Sequence, residues 1–221
     1  MSGIQGSACP KQASSGSERG FTIIELMIAT SILSTILVLT TAMMINIGNL
    51  YYKGVSQSRI QQNARSITED ISQHLELNGG NVISTGPGSS TAPQAYCIGT
   101  VRYNYILGRQ IGSDASKNQV AHVLWRDNVP SGDCSALTLA QLNSSTPTDG
   151  GTELILSNSR LTAFTITPLT TPYTLSIGVA YGDSDLLTGS GLNTLCQGGI
   201  GQQFCATAHL TVTVAQRLTS H

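Results

Sequence analysis

Charged side chains are scarce in this chain, and one long segment almost lacks them. Only 10% of the 221 residues are Asp, Glu, Lys or Arg, and the formal net charge is −1. A charge so nearly balanced gives no bulk electrostatic attraction to nucleic acid. Between Phe21 and Ile47 the single ionisable side chain is Glu25. An apolar run of this length is sufficient to span a bilayer.

Motifs of common catalytic and metal sites are also lacking. The histidines are scattered, without the His-x-x-x-His spacing of a zinc enzyme, and no Gly-x-Ser-x-Gly nucleophile elbow occurs. We therefore expect no catalytic residue, no cofactor and no metal. Asp183 and Asp185 are a weak calcium candidate because they supply oxygen ligands. A polar turn in which Asp caps its own backbone explains the same pair, and we favour it.

Close Cys-x-x-Cys pairs are absent, which argues against a structural zinc site. Cys9 precedes the apolar run, whereas four cysteines follow it, on the side that should be exported. An even number of cysteines in an exported domain indicates disulfides. Four cysteines allow three pairings, of which we favour Cys97–Cys134 and Cys196–Cys205, the latter closing a Gly-rich loop.

The first 20 residues form a polar leader before the apolar run. Its basic residues Lys11 and Arg19 favour a cytoplasmic N-terminus. An ordinary secretory signal has a shorter apolar core, followed by a small-residue cleavage site that is not evident here. An ionised Glu25 at hydrocarbon depth would cost at least ~2.5–3.5 kcal/mol near the centre of a span. Glu25 should therefore have a cationic partner.

The segment Gly20-Phe21-Thr22-x-x-Glu25, with its basic leader and long apolar run, resembles the processing site of type IV prepilins and type II secretion pseudopilins. The resemblance covers roughly residues 19 to 50. It implies that a membrane-embedded prepilin peptidase cuts between Gly20 and Phe21 and methylates Phe21. In a staggered filament the new amine of one subunit can neutralise Glu25 of its neighbour, since a buried carboxylate is tolerable only when paired. Glu25 would then set subunit registry during assembly.

Helical periodicity continues beyond the apolar run. Steps of four and three place one apolar stripe on a helix face, at Ile60, Ala64, Ile67, Ile71 and Leu75. The helix is predicted to end at Asn78-Gly79-Gly80, where Gly can adopt the left-handed cap conformation. Strand patterns follow at Tyr96–Leu107, Val120–Arg126, Glu153–Leu156, Leu161–Thr167, Tyr173–Tyr181 and Leu210–Arg217.

These patterns predict an α+β fold in which a long N-terminal helix packs on an antiparallel β-sheet head. We expect a leader over residues 1–20, a helix over 21–77 that spans the membrane at about 21–47, and a β-rich head over 78–221. This order of elements is similar to that of the larger minor pilins and of J-type pseudopilins.

The resemblance implies a structural subunit, not an enzyme. We expect a minor pilin, because the head is large and loop-rich, in a type IV pilus that serves motility, adhesion or DNA uptake. Its partners would be prepilin peptidase, other pilin or pseudopilin subunits, the inner-membrane assembly platform and, before assembly, membrane lipid. It would begin as a single-pass protein of the cytoplasmic membrane with a cytoplasmic N-terminus, and end in an extracellular pilus or a periplasmic pseudopilus.

Two alternatives to a minor pilin remain open. One is a minor pseudopilin of a type II secretion system. Another is an anchored adhesin or binding module that does not polymerise and keeps its leader. The resemblance also allows the head of a minor pilin to bind nucleic acid through Arg102, Arg109 and Arg126, although a solvated sheet edge explains these residues more simply.

Overall fold

The structure is a computed structural model that describes residues 20–78, 82–86, 92–129, 134–199 and 201–217. The leader predicted over 1–20 lies outside the described residues except for Gly20. Two compact units make up the chain, the first ending at Asn46 and the second beginning at Ile47. A single helix, α1 (Ile23–Asn78), contributes to both units.

The first unit contains the N-terminal half of α1, whose side chains are exposed all around the helix. Large apolar residues such as Ile23, Leu33 and Met44 have more than half of their surface exposed. Five hydroxyls in this part are satisfied within the helix, because Thr30, Ser34, Thr35, Thr40 and Thr41 each donate to a backbone carbonyl three or four residues earlier. These hydroxyls therefore do not need water or a neighbouring helix.

In the second unit, α1 buries one stripe against the sheets of the head. Ile60, Ala64, Ile67, Ile71 and Leu75 are all at most 2% exposed, as their spacing predicts. Gln57 Nε2 donates to the carbonyl of Thr207 (2.8 Å), and Asn63 Nδ2 donates to the carbonyl of Leu154 (2.8 Å). Polar contacts at the edges of the stripe thus fix the helix on strands that are distant in sequence.

The strands of the head differ in length, up to 9 residues in each of the three longest. They are β1 (Val82–Thr85), β2 (Gln94–Ile98), β3 (Val101–Tyr105), β4 (Gln110–Ile111), β5 (Gln119–Val120), β6 (Leu124–Asn128), β7 (Thr152–Glu153), β8 (Ser159–Thr167), β9 (Tyr173–Tyr181), β10 (Leu187–Thr188), β11 (Leu195–Cys196) and β12 (Ala206–Val214). A short helix, α2 (Leu139–Leu142), and single 3-10 turns at Ala115–Lys117, Ser184–Leu186, Gly191–Asn193 and Gln202–Phe204 lie between them.

Two five-stranded sheets are built from these strands. The first has the order β1-β2-β3-β6-β7 and is antiparallel throughout. The second has the order β12-β9-β8-β4-β5 and is antiparallel except at its β4–β5 edge. β10 and β11 form a separate hairpin. Together with α1 these sheets confirm the predicted α+β fold.

Two predicted strands are wrong because each is interrupted. The alternating segment Tyr96–Leu107 is not continuous, because it turns back at Gly99 and Thr100 to form the hairpin of β2 and β3. Gly99 has φ +63°, a left-handed conformation that favours glycine. The predicted strand Val120–Arg126 is also interrupted, because residues 121–123 separate β5 of the second sheet from β6 of the first. Of the other predicted strands, β9 (Tyr173–Tyr181) has its predicted bounds, β12 begins and ends a few residues earlier than predicted, and Glu153–Leu156 overlaps β7 only at Glu153.

Two disulfides join the favoured pairs of cysteines. Cys97 on β2 is bonded to Cys134, with their Cα atoms 6.0 Å apart. Cys196 on β11 is bonded to Cys205, just before β12, with their Cα atoms 5.8 Å apart. The first disulfide fixes the long loop after β6 to the first sheet, and the second closes a short loop beside the second sheet.

Candidate processing and assembly site

The site begins where α1 begins. Thr22 occupies the N-cap position: its Oγ1 accepts a hydrogen bond from the Glu25 backbone N–H (3.3 Å), and its carbonyl accepts from the Leu26 N–H (3.2 Å). A side-chain oxygen at this position satisfies one of the amides that every helix start leaves without an intrahelical partner. The segment from Gly20 to Thr22 is therefore not helical, and helical structure starts immediately after it.

Gly20 is exposed, and the local structure does not require a glycine there. A Cβ built at Gly20 would meet no described atom within 4 Å, and its φ lies outside the left-handed range. Gly99 differs, because its left-handed turn needs glycine. The reason for glycine at position 20 should then lie in recognition by another molecule.

Phe21 is 78% exposed, so its backbone and ring are accessible on the N-terminal side of the helix. The bond between Gly20 and Phe21 precedes the first helical residue, Ile23. A peptidase needs an extended substrate backbone, and the described residues give this bond no helical hydrogen bond to break.

Glu25 is the only acidic residue in the first turn of α1 and is exposed. A carboxylate in the first turn interacts favourably with the partial positive charge of the helix N-terminus. Thr22 and Glu25 also have the spacing of a capping box, Ser/Thr-x-x-Glu. The role of Thr22 as a helix cap is therefore predictable from this spacing, beyond its place in the processing motif.

The surface that follows Glu25 is uncharged on every side and mostly apolar. Helix α1 is long and apolar enough to cross a membrane, and none of its most apolar stretch is buried within the described structure. A helix that is apolar all round requires lipid or a protein environment. The next charged side chain after Glu25 is Lys53, beyond the apolar run.

The other candidate residues are not brought together into a site. Asp183 and Asp185 are exposed, and Asp183 begins a 3-10 turn without a side-chain cap. Among the described residues no group of three or more His, Cys, Asp or Glu could hold a metal ion. His122 and His209 lie in different parts of the head, paired with Glu153 and the Thr194 carbonyl respectively.

Of the three arginines considered for a nucleic-acid surface, the structure contradicts a surface position for Arg102. Arg102 is buried at 7% exposure and forms a bidentate ion pair with Asp127. Arg126 pairs with Asp70 of α1. Both charges are therefore compensated inside the protein, and only Arg109 retains a guanidinium without an ion pair among the described residues.

Comparison with known proteins gives one match. Residues 16–41 match the family model described as the prokaryotic N-terminal methylation motif. No curated protein and no solved structure matches the chain. The matched segment contains Gly20, Phe21, Thr22 and Glu25, which are the residues whose geometry is described above. The chain thus carries the prepilin-type processing motif that is the hallmark of type IV pilins and pseudopilins.

Proposed function

We propose that this protein is a minor pilin of a type IV pilus. Prepilin peptidase removes residues 1–20 and methylates Phe21, the segment 21–77, which holds nearly all of α1, anchors and then assembles the subunit, and residues 78–221 form the head. The motif itself supports a pilin or pseudopilin that acts as a structural subunit. The large head with its two sheets and two disulfides supports a subunit with a specialised surface.

The observation that carries the proposal is the position of Glu25 in an apolar helix surface. Its carboxylate is the only charge between Phe21 and Lys53, and the side chains that follow it in α1 are exposed and apolar. If that surface packs against identical or related helices, Glu25 enters a low-dielectric environment and needs a cation. Cleavage after Gly20 supplies one, because it creates an amine at Phe21 of each subunit.

The assembly claim is tested with Glu25→Gln in the native host. Gln keeps the size of the side chain and can replace Glu in a capping box, so the helix start is retained while the charge is lost. Glu69→Gln is the matched control, because it removes an exposed carboxylate from the same helix outside the apolar run. Sheared surface fibres and membranes are probed with an antibody to the head.

We expect processed Glu25→Gln protein in the membrane and little in the fibres, while Glu69→Gln enters fibres normally. Equal amounts of both variants in the fibres would overturn the pairing argument. Immunogold labelling of wild-type fibres then distinguishes a pilin from a pseudopilin, since the antibody should label extracellular fibres if the protein is a pilin. Protein found only in periplasmic fractions would favour the type II secretion pseudopilin instead.

A further inference from the structure

Three exposed aromatic side chains of the second unit lie next to one another. Tyr51 and Tyr52 of α1 are 68% and 57% exposed, and Phe204, in the loop that the Cys196–Cys205 disulfide closes, is 52% exposed. The ring centroids of Tyr52 and Phe204 are 6.4 Å apart, and those of Tyr51 and Tyr52 are 6.1 Å apart. We call these three side chains the aromatic patch.

The fold holds the backbone around Phe204 in place while its ring stays half exposed. The Phe204 N–H donates to the Gly201 carbonyl (2.8 Å) at the 3-10 turn Gln202–Phe204. The next residue, Cys205, is 1% exposed and is bonded to Cys196. Large apolar side chains that are grouped and kept exposed mark a site of contact with another molecule or with a membrane.

The place of the two tyrosines along α1 indicates a membrane surface. The apolar run from Phe21 to Ile47 is roughly 40 Å long as a helix, at about 1.5 Å per residue. This length exceeds the hydrocarbon core of a bilayer, about 30 Å, and approaches its full thickness with the headgroups, about 40–45 Å. Tyr51 and Tyr52 follow Ile47 almost at once, and tyrosine is enriched at the boundary between membrane and water.

The charges near the aromatic patch favour lipid headgroups over a basic protein surface. Residues 197–204 of the loop include no ionisable side chain, and Lys53 directly follows the two tyrosines. Along α1 no acidic residue occurs between Glu25 and Glu69. A lysine can lay its apolar stem along the membrane and place its ammonium group among the lipid phosphates. The patch therefore combines apolar rings with one cation and no nearby carboxylate on the helix.

We propose that the aromatic patch docks on the surface of the bilayer in which α1 is inserted, with the rings of Tyr51, Tyr52 and Phe204 at the boundary of headgroups and acyl chains. The disulfide-closed loop is then a second membrane contact of a single-pass protein. This goes beyond a structural role in a fibre, because it gives the unassembled subunit a surface for lipid. It rests on the insertion of α1 and not on the kind of fibre that the subunit joins.

The test is the quenching of tryptophan fluorescence by brominated lipid. The full-length protein is reconstituted in phosphatidylcholine vesicles that carry bromine either near the headgroups or deep in the acyl chains. Trp125 is the only tryptophan and is 5% exposed, so the wild-type protein gives the baseline. Phe204→Trp reports on the patch, and Leu33→Trp, in the middle of the apolar run, reports on insertion of the helix.

Leu169→Trp is the matched control, because Leu169 is an exposed apolar residue at the opposite end of the head. Its carbonyl accepts from the Val82 N–H (3.2 Å), and Val82 lies shortly after the end of α1 at Asn78. The helix from Tyr52 to Asn78 is roughly 40 Å long. This residue should therefore stay in water when the patch is on the membrane.

We expect Phe204→Trp to be quenched most by the shallow bromines, Leu33→Trp by the deep bromines, and Leu169→Trp by neither. A quenched Leu33→Trp with an unquenched, blue-shifted Phe204→Trp would show that protein covers the patch, and would overturn the docking alone. Unquenched Phe204→Trp with emission as in water, or equal quenching of Leu169→Trp, would overturn it as well. An unquenched Leu33→Trp would overturn insertion and docking together.

A charge placed in the loop gives a second test that does not depend on the shape of the reporter. In the Phe204→Trp protein, Gln203→Glu should reduce the quenching, because an ionised carboxylate resists removal from water far more than an amide does. Gln216→Glu is its control, since Gln216 is likewise half-buried but its N–H donates to Thr171 Oγ1 (3.2 Å), close to Leu169. Equal quenching in both variants would contradict contact between this loop and lipid.

Discussion

Arg102 and Asp127 form a bidentate ion pair between neighbouring strands of the first sheet. Arg102 Nε donates to Asp127 Oδ1 (3.0 Å) and Nη2 to Oδ2 (2.6 Å), and both side chains are almost fully buried. Asp127 also accepts from Thr148 Oγ1 (2.7 Å), while Arg102 Nη1 donates to the carbonyl of Ser135 (2.7 Å). The pair thus connects the strands to the loop that carries Cys134.

Removal of one partner should be strongly destabilising. We expect Asp127→Ala to lower the free energy of unfolding by about 3–5 kcal/mol, because it leaves the Arg102 guanidinium buried without its counter-charge. Chemical denaturation followed by circular dichroism measures the loss. The control is Lys117→Met, whose exposed pair with Asp114 should matter little. A similar small change in both variants would show that the buried pair is not structural.

The two disulfides should contribute unequally. Cys97–Cys134 closes a loop with a sequence separation of 37, and Cys196–Cys205 closes one with a separation of 9. A disulfide stabilises the fold by restricting the unfolded chain, so these loop lengths predict a stabilisation of about 4 kcal/mol by the first and about 2.5 kcal/mol by the second. Paired Cys→Ala variants, compared by thermal unfolding without reductant, measure both. A greater loss on removing Cys196–Cys205 would contradict this order.

The buried tyrosines make the head sensitive to alkali. Burial is the main cause that raises the pKa of Tyr103 and Tyr105 above their ordinary value of 10.0, and Asp70 adds to it at Tyr103, whose hydroxyl donates to Asp70 Oδ2 (2.9 Å). Because the pKa of both hydroxyls is raised in the folded state, the protonated tyrosines contribute stability to the fold. This contribution is complete below the unfolded-state pKa and is lost as the pH rises above about 10.

We therefore expect the free energy of unfolding to fall steeply above pH 10, with part of the tyrosinate absorbance appearing only on unfolding. Tyr103→Phe is the control, and it should show a weaker dependence on pH in this range. A titration in which all tyrosines ionise before the circular dichroism changes would contradict the burial argument.

Glycines in two settings should respond oppositely to alanine. Gly54 lies in α1 with no described atom within 4 Å of a built Cβ, so Gly54→Ala should stabilise the protein by up to about 1 kcal/mol. Gly182 has φ +114°, and its Cβ would lie 2.8 Å from the Phe204 carbonyl. Gly182→Ala should therefore lower the melting temperature, and a stabilising effect there would be inconsistent with the structure.

Hydrophobic periodicity predicts those helices and strands whose buried face is set by their own residues. The stripe from Ile60 to Leu75 and the bounds of β9 followed from periodicity alone, since each face of these elements has one environment. The hairpin at Gly99 was missed because Val101, Tyr103 and Tyr105 alternate as in a strand, and this pattern does not show where the strand begins. Two-residue strands such as β7 have no pattern of their own, because they exist only through pairing with a distant strand.

Charge partners were the least predictable feature. Arg102 and Arg126 lie in predicted strands, where a solvated sheet edge is the simplest expectation from the sequence. Their actual partners are Asp127 on the adjacent strand and Asp70 on α1, which only the tertiary fold brings close. The aromatic patch was not predicted for the same reason, because Tyr52 and Phe204 come from segments far apart in sequence.

The central claim is that the chain matures by cleavage after Gly20, which leaves Glu25 near a new amine in the assembled fibre. Mass spectrometry of the N-terminal peptide from native membranes and fibres tests it most directly. The account predicts a chain that begins at Phe21 and carries one methyl group there. Protein that still begins at Met1 in both fractions would contradict it.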